Sequence, residues 1–220
     1  MLELKNISAA YVKDNLILKD LSMALQEGER VAVLGRNGAG KSTLAKSIIG
    51  MVPYRWGEVL FCGSDISNLP VHQMTSLGIG YFHQGGQLFP QMTVEENLRF
   101  ARYRKKVNRA PDDDLIGKYL PVISEKHFQK MKAGDLSGGE RTQLALAMVM
   151  ANKPDLLILD EPFAGVSPGI TESVIGFLQK KQIDWNYTLI LIEQNQYLAQ
   201  RLCNSLFVLK DKKLIPFLAK

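Results

Sequence analysis

Apolar positions along this chain change period several times, and each change marks an element. Leu2-Glu3-Leu4-Lys5-Asn6-Ile7 alternates with period two, as an edge strand does, and residues 16–25 alternate again before the turn Glu27-Gly28-Glu29. The chain is therefore expected to open with antiparallel strands. Val31-Ala32-Val33-Leu34 is a continuous apolar run, short enough to be a strand buried on both faces, and Leu44-Ala45-Lys46-Ser47-Ile48-Ile49 reads as the helix after it, ending near Gly50. Residues 57–61 and 79–83 read as further strands, the second short and buried. From Met92 the pattern turns helical, with Thr93-Val94-Glu95-Glu96 as a capping box. A second helical stretch, 141–151, carries Leu144, Ala147, Met148 and Ala151 at helical spacing. Leu156-Leu157-Ile158-Leu159 is another doubly buried strand, expected in a parallel sheet beside the 31–34 strand. A helix from Pro168 with Ile170, Val174, Phe177 and Leu178 on one side precedes a strand at 188–192. Residues 206–209 and 214–217 form a closing hairpin around Asp211-Lys212, with no further domain expected after it. The fold class is α/β with a parallel sheet.

With 220 residues, 46% of them hydrophobic, the chain can bury a substantial core as one domain or a domain with a subdomain. Its apolar runs fall far short of the ~20 residues a membrane-spanning helix needs. The first residues show neither the basic start nor the apolar stretch of a secretory leader, so a soluble or membrane-peripheral protein is expected. Cys62 and Cys203 are isolated, have no metal or redox spacing, and read as two structural thiols of a reducing cytosol. The net charge of +5 is compatible with an anionic ligand, a membrane surface or nucleic acid, and it selects none of them.

Chemistry concentrates where the 31–34 strand hands over to its helix. The connecting stretch is Gly35-Arg36-Asn37-Gly38-Ala39-Gly40-Lys41-Ser42-Thr43. Gly35, Gly38 and Gly40 let the backbone turn tightly with its N–H groups inward, and the helix opening at Lys41 adds unpaired N–H groups and its positive dipole end. Lys41 then supplies a point charge for the β- and γ-phosphates of a nucleotide, and Ser42 an oxygen for Mg²⁺. A Gly-rich turn that binds nothing is the plain alternative; the strand before and the helix after weigh against it.

Other candidates are weaker alone. The 79–83 strand delivers Gln84 into a Gly-Gly turn, where a carboxamide reaches a metal or water near a bound phosphate or is an ordinary loop residue. Leu136-Ser137-Gly138-Gly139-Glu140 is a second Gly-rich helix start, without a lysine; two phosphate-facing devices with one P-loop suggest that the second covers the nucleotide of another copy. The 156–159 strand ends in Asp160 and Glu161, the first placed to hold Mg²⁺ and the second to act as general base on the attacking water. Tyr11 lies between the first two strands and either stacks on a base or covers its own hairpin. Arg99, Arg102, Arg104, Lys105, Lys106 and Arg109 read as a solvated helix face, with a contact surface for a membrane-embedded partner as the alternative. Asp112-Asp113-Asp114 reads as a helix start rather than a metal site, because adjacent side chains point in different directions.

In order and spacing, the P-loop, Gln84, L-S-G-G-E at 136–140 and L-L-I-L-D-E-P at 156–162 resemble the ATP-binding subunits of ABC transporters, across essentially the whole chain. The resemblance implies a P-loop NTPase (RecA-like) core with an antiparallel β-subdomain (1–84 and 152–220) and an inserted α-helical subdomain (85–151). It implies ATP and Mg²⁺ as cofactors, with Ser42, Gln84 and Asp160 toward the metal. It also implies a head-to-tail dimer, identical or mixed, in which Ser137, Gly138 and Gly139 of one copy close over ATP on Lys41 of the other. Tyr11 matches the adenine-stacking aromatic of the family and Gln84 its lid-loop glutamine. Residues 87–98, 161–168 and Leu191-Ile192-Glu193-Gln194-Asn195 look most like the branched-chain amino-acid importer ATPases. Gln194 stands where the usual switch histidine falls and Ser167 where an aspartate usually follows Walker B; both variants resemble that subgroup. The chain stops sooner after its last hairpin than that subgroup leads one to expect.

Two function classes follow from the resemblance. One is a Mg-dependent ATPase that powers solute transport from the cytoplasmic face of the membrane beneath a separate permease, with no nucleic-acid partner. The other is a soluble ABC ATPase acting on ribosomes or DNA, whose usual paired cassettes or long coiled-coil insertion this sequence lacks.

Overall fold

The structure is a computed structural model that describes residues 1–102 and 125–217. In chain order its elements begin with β1 (Leu2–Ala10), β2 (Leu16–Leu25), β3 (Arg30–Leu34), α1 (Lys41–Ile48), β4 (Tyr54–Phe61) and β5 (Ser64–Asp65). There follow α2 (Val71–Leu77), β6 (Ile79–Phe82), α3 (Val94–Ala101), α4 (Lys126–Lys130), a 3₁₀ turn (Ala133–Asp135) and α5 (Gly138–Met150). The remainder is β7 (Leu156–Asp160), α6 (Pro168–Trp185), β8 (Thr188–Glu193), α7 (Gln196–Leu202), β9 (Ser205–Lys210) and β10 (Lys213–Pro216). The chain divides into two units, one of residues 1–77 with 187–220 and one of residues 78–186.

The first unit holds an antiparallel sheet of order β2-β1-β4-β5. Leu2 and Leu4 alternate inward as expected and Ile7 is buried beyond a shift in register, yet β1 is not an edge strand, since β2 pairs along one side of it and β4 along the other. Alternation reports that one face is buried; it carries no information about how many neighbours bond to the backbone. The register slips between Lys5 and Ser8, where Asn6 adopts φ 51 and Gly57 lies so close that a Cβ would strike the carbonyls of Lys5 and Asn6. Gly57 is thus a close-approach glycine at a bulge.

In the same unit β3 is the middle of a parallel ladder, with β8 on one side and β9 on the other, and β10 returns antiparallel on β9 through Asp211 and Lys212, both left-handed. The neighbours of β3 are therefore β8 and β9, which corrects the expectation that the 156–159 strand lies beside it. Every residue of β7 and of β8 is buried. Two doubly buried strands read alike in sequence, so the pattern identifies the class and not the order.

The second unit pairs β6 with β7 in parallel, Gly80 opposite Leu157 and Phe82 opposite Leu159. Its helical part is cored by Val94 and Leu98 of α3, Ala133, Leu136, and Leu144 and Ala147 of α5, with Phe128 of α4 packed against them. The capping box at Thr93 forms as expected: Thr93 Oγ1 accepts the Glu96 N–H, and the Glu96 carboxylate accepts the Thr93 N–H at 2.8 Å. Helix α3 ends at Ala101, with Arg99 exposed and Arg102 half-buried at its C-cap. The remaining basic residues (Arg104, Lys105, Lys106, Arg109) and Asp112 to Asp114 lie outside the described residues. Helix α6 starts at Pro168 and stops at Asn186, whose φ of 52 is a left-handed cap. Among the described residues no helix is long and apolar enough to cross a membrane.

Candidate functional site

Two parts of the chain carry the predicted chemistry, one in each unit. In the first, Leu34 ends β3 and Lys41 opens α1, with the predicted glycine loop between them. Its glycines serve different needs. Gly38 (φ 77) and Gly40 (φ 103) supply left-handed backbone, whereas Gly35 does not; its place is set by the Leu209 carbonyl, 2.9 Å from where a Cβ would sit.

Lys41 is 4% exposed, and its ammonium donates to the carbonyls of Gly35 (3.0 Å) and Arg36 (3.2 Å), so the side chain bends back along the loop. Arg36, Asn37 and Gly38 form an exposed tip, Ala39 is half-buried, and Ser42 and Thr43 are half-buried and buried. The first turn of α1 holds no carboxylate, so its N–H groups and dipole keep a positive end for an anion.

A groove of about 780 Å³ opens beside the loop, lined by residues 35–39, Gln194 and residues 208–211. Gln194 is therefore brought to the P-loop, within the same unit. Its backbone is held from an unexpected quarter. The Glu193 carboxylate, 6% exposed, accepts the N–H of Gln194 at 2.5 Å and of Asn195 at 3.0 Å, and Asn195 Oδ1 caps α7 by accepting the Tyr197 and Leu198 N–H groups. Sequence reading passed over Glu193; a carboxylate ending an otherwise apolar buried strand was the available signal. Tyr11 stands in the β1–β2 loop with 42% of its surface exposed.

In the second unit, strands β6 and β7 bring Gln84, Asp160 and Glu161 together. Asp160 is 1% exposed and accepts the Tyr81 hydroxyl at 3.2 Å, with the Tyr81 ring set edge-on to His83. Tyr81 is a site neighbour that sequence reading missed, although its position on a strand next to β7 follows from the ladder. Glu161 has φ 48, a left-handed conformation uncommon for a non-glycine residue, and its carboxylate accepts the Gln84 side-chain amide at 3.1 Å. Among the described residues no group of three or more His, Cys, Asp or Glu forms a metal cage. The available donors are separate hard oxygens, which suit a Mg²⁺ completed by phosphate and water.

The 137–140 stretch opens α5 with a second capping box. Ser137 Oγ accepts the Glu140 N–H at 3.4 Å, and the Glu140 carboxylate accepts the Ser137 N–H at 2.7 Å. The two glycines after Ser137 differ: Gly138 faces open space, whereas Gly139 backs onto the Ile170 side chain of α6.

Residues 18–164 match the family described as ABC transporter. The chain is 39% identical over 210 residues to the probable branched-chain amino acid transport ATP-binding protein LivF of Archaeoglobus fulgidus, covering 95% of this chain and 88% of that one. It is 35% identical over 165 residues to the lipopolysaccharide export system ATP-binding protein LptB of Escherichia coli, covering 74% and 68%. A solved dimeric structure of an ATP-binding cassette in a post-hydrolysis state, bound to ADP and Pi, has TM-score 0.81 and 25% identity over 97% of this chain and 96% of that one. These likenesses agree with the motifs and with the fold, a P-loop NTPase α/β core with an antiparallel β-subdomain and an inserted helical subdomain. The chain belongs to the ABC transporter family, among its ATP-binding cassettes.

Proposed function

We propose that this ABC-type ATPase binds MgATP and hydrolyses it in a head-to-tail dimer, powering solute transport through a membrane permease from the cytoplasmic face. The observation that carries hydrolysis, beyond binding, is the placement of Asp160 at the end of β7 and Glu161 just after it, with Gln84 bonded to Glu161. Lys41 and the loop of residues 35–43 (Gly35, Arg36, Asn37, Gly38, Ala39, Gly40, Ser42 and Thr43 included) take the phosphates. Tyr11 stacks on adenine, and Ser42, Gln84 and Asp160 would hold the Mg²⁺. Held there, the ion would supply positive charge against the negative charge that develops on the phosphates. Glu161 accepts the proton of the attacking water, and Gln194 orients that water through its amide. Ser137, Gly138 and Gly139 of a second copy close over the nucleotide, with Glu140 fixing the Ser137 backbone. The helical subdomain, taken as residues 85–151, is the surface offered to the permease. Branched-chain amino-acid uptake is the transport this reading favours, because the relative sharing 39% identity is named for that task.

The test is Glu161→Gln. ATP binding should persist, hydrolysis should slow by roughly 10²- to 10⁴-fold as expected for loss of a general base, and a dimer should accumulate in MgATP on size exclusion. Near-normal turnover with only monomer present would falsify the reading. Loss of labelled leucine uptake on deletion of the gene tests the substrate.

A further inference from the structure

We infer that Glu193 is a positioning residue for hydrolysis, its buried carboxylate fixing the backbone from which Gln194 reaches toward the P-loop. The inference rests on the proposed role of Gln194 as the residue that orients water. Five residues of β8 precede Glu193, namely Thr188, Leu189, Ile190, Leu191 and Ile192, and all are buried. A sixth aliphatic residue would complete the strand without the cost of taking a carboxylate out of water. What compensates the carboxylate is specific. Its Oε2 accepts two consecutive N–H groups, those of Gln194 at 2.5 Å and Asn195 at 3.0 Å, so the buried carboxylate is hydrogen-bonded rather than left alone.

The anchor is tied to the nucleotide loop by register. Glu193 is the ladder partner of Leu34, the last residue before Gly35, so the carboxylate fixes Gln194 relative to the strand that launches the P-loop. Past it, Asn195 Oδ1 accepts the N–H groups of Tyr197 and Leu198. Two side-chain acceptors thus secure the backbone on both sides of an exposed glutamine that lines the groove at residues 35–39. A neutral amide orients water only if its own position is defined to within about 0.5 Å, and a flexible side chain on a loose loop does not meet that condition.

The test uses the full chain with MgATP. Glu193→Met keeps the volume and removes the acceptor; Glu193→Gln keeps an acceptor oxygen; Glu193→Val, in keeping with the rest of the strand, serves if Met is not accommodated. We expect Glu193→Met to lower kcat about tenfold, less than the roughly 10²- to 10⁴-fold of a group that itself transfers the proton because it acts through another residue, with KM for ATP and calorimetric Kd within about twofold of the parent. Glu193→Gln should restore kcat to within about threefold, and amide hydrogen exchange across residues 194–198 should quicken in the Met variant only. Combined with Gln194→Ala, Glu193→Met should cost nothing further, because one residue acts through the other. A costly Gln194→Ala beside a silent, or fully additive, Glu193→Met overturns the positioning role alone. A silent Gln194→Ala overturns the role of Gln194 and the positioning with it.

Discussion

The Gln84 side-chain amide donates to the Glu161 carboxylate at 3.1 Å, joining positions 77 apart in sequence just past the ends of β6 and β7. Glu161 sits in left-handed backbone (φ 48), so the turn aims its side chain and Gln84 holds it there. Gln84→Ala should therefore lower kcat by about tenfold through loss of positioning, less than the roughly 10²- to 10⁴-fold worth of the general base it holds. Combined with Glu161→Gln it should cost less than its effect in the parent, because the part that runs through Glu161 is already lost and only its part toward Mg²⁺ remains. Steady-state ATPase assays on the two single variants and the double decide this, and simple additivity would detach Gln84 from Glu161.

Tyr11 supplies a second test. Tyr11 is 42% exposed and has no aromatic partner among the described residues, so Tyr11→Ala should leave the melting temperature near that of the parent. It should weaken MgATP binding by roughly 1 to 3 kcal/mol, the stacking value for nucleic-acid bases. Tyr11→Trp should bind normally. Titration calorimetry reads both, and an unchanged Kd in the Ala variant removes the stacking role.

The motifs were legible because each depends on local backbone chemistry: a glycine loop needs left-handed positions at Gly38 and Gly40, and a capping box needs Thr93 and Glu96 three apart. What sequence left hidden was set by partners distant along the chain. The interior place of β1 depends on β4, and the neighbours of β3 depend on which of several equally apolar strands dock there. What Glu193 bonds to left no mark in the sequence, because its carboxylate accepts backbone N–H groups, those of Gln194 and Asn195, and backbone partners do not show in residue types. Tyr81 became a site neighbour only when the β6–β7 ladder set it near Asp160.

Burial raises the Cys203 thiol from its ordinary value of 9.0 to about 12, opposed in part by the nearby Arg30 charge, and it raises the Tyr187 phenol as well. Both folded-state values lie above the unfolded ones. Stability from the neutral thiol is then fully present below pH 9.0 and is lost as pH rises toward about 12, because the unfolded chain ionises first. Urea midpoints should fall across that window, and less steeply in Cys203→Ala. Iodoacetamide at pH about 8, near the ordinary thiol range, should label the exposed Cys62 promptly and Cys203 only on unfolding.

Gln194 offers an amide donor and a carbonyl acceptor but cannot ionise, unlike the histidine that the family more often carries there. The pH–rate profile should then lack a limb near the histidine value of about 6.5, and Gln194→His should stay active and acquire one. Gln194→Ala should lose roughly tenfold or more in kcat. Turnover at saturating MgATP from pH about 5.5 to 8.5, spanning the histidine titration range, tests all three, and identical profiles for the Gln and His proteins would show that this side chain takes no part in orienting water.

Gly138 and Gly139 are adjacent in one motif yet constrained by different neighbours, which separates binding from packing. A Cβ at Gly138 meets nothing within 4 Å, so Gly138→Ala should fold as well as the parent, with the small helix-propensity gain of alanine. Its effect should appear only where a second copy closes over nucleotide, as weaker MgATP-dependent dimerisation in the Glu161→Gln background. A Cβ at Gly139 overlaps Ile170 Cδ1. That atom is the end of a side chain that can rotate aside, so Gly139→Ala should cost about 1 kcal/mol, the low end for overpacking. Ile170→Val removes the obstructing methyl and, because Ile170 is half-buried, should itself cost about 0.5 kcal/mol, the low end for this change, but the double variant should be more stable than the two single costs add to. Urea unfolding of the three proteins measures the coupling. Additive losses would mean that Gly139 is glycine for the sake of what approaches the helix from outside, and that Ile170 has no part in fixing the start of α5.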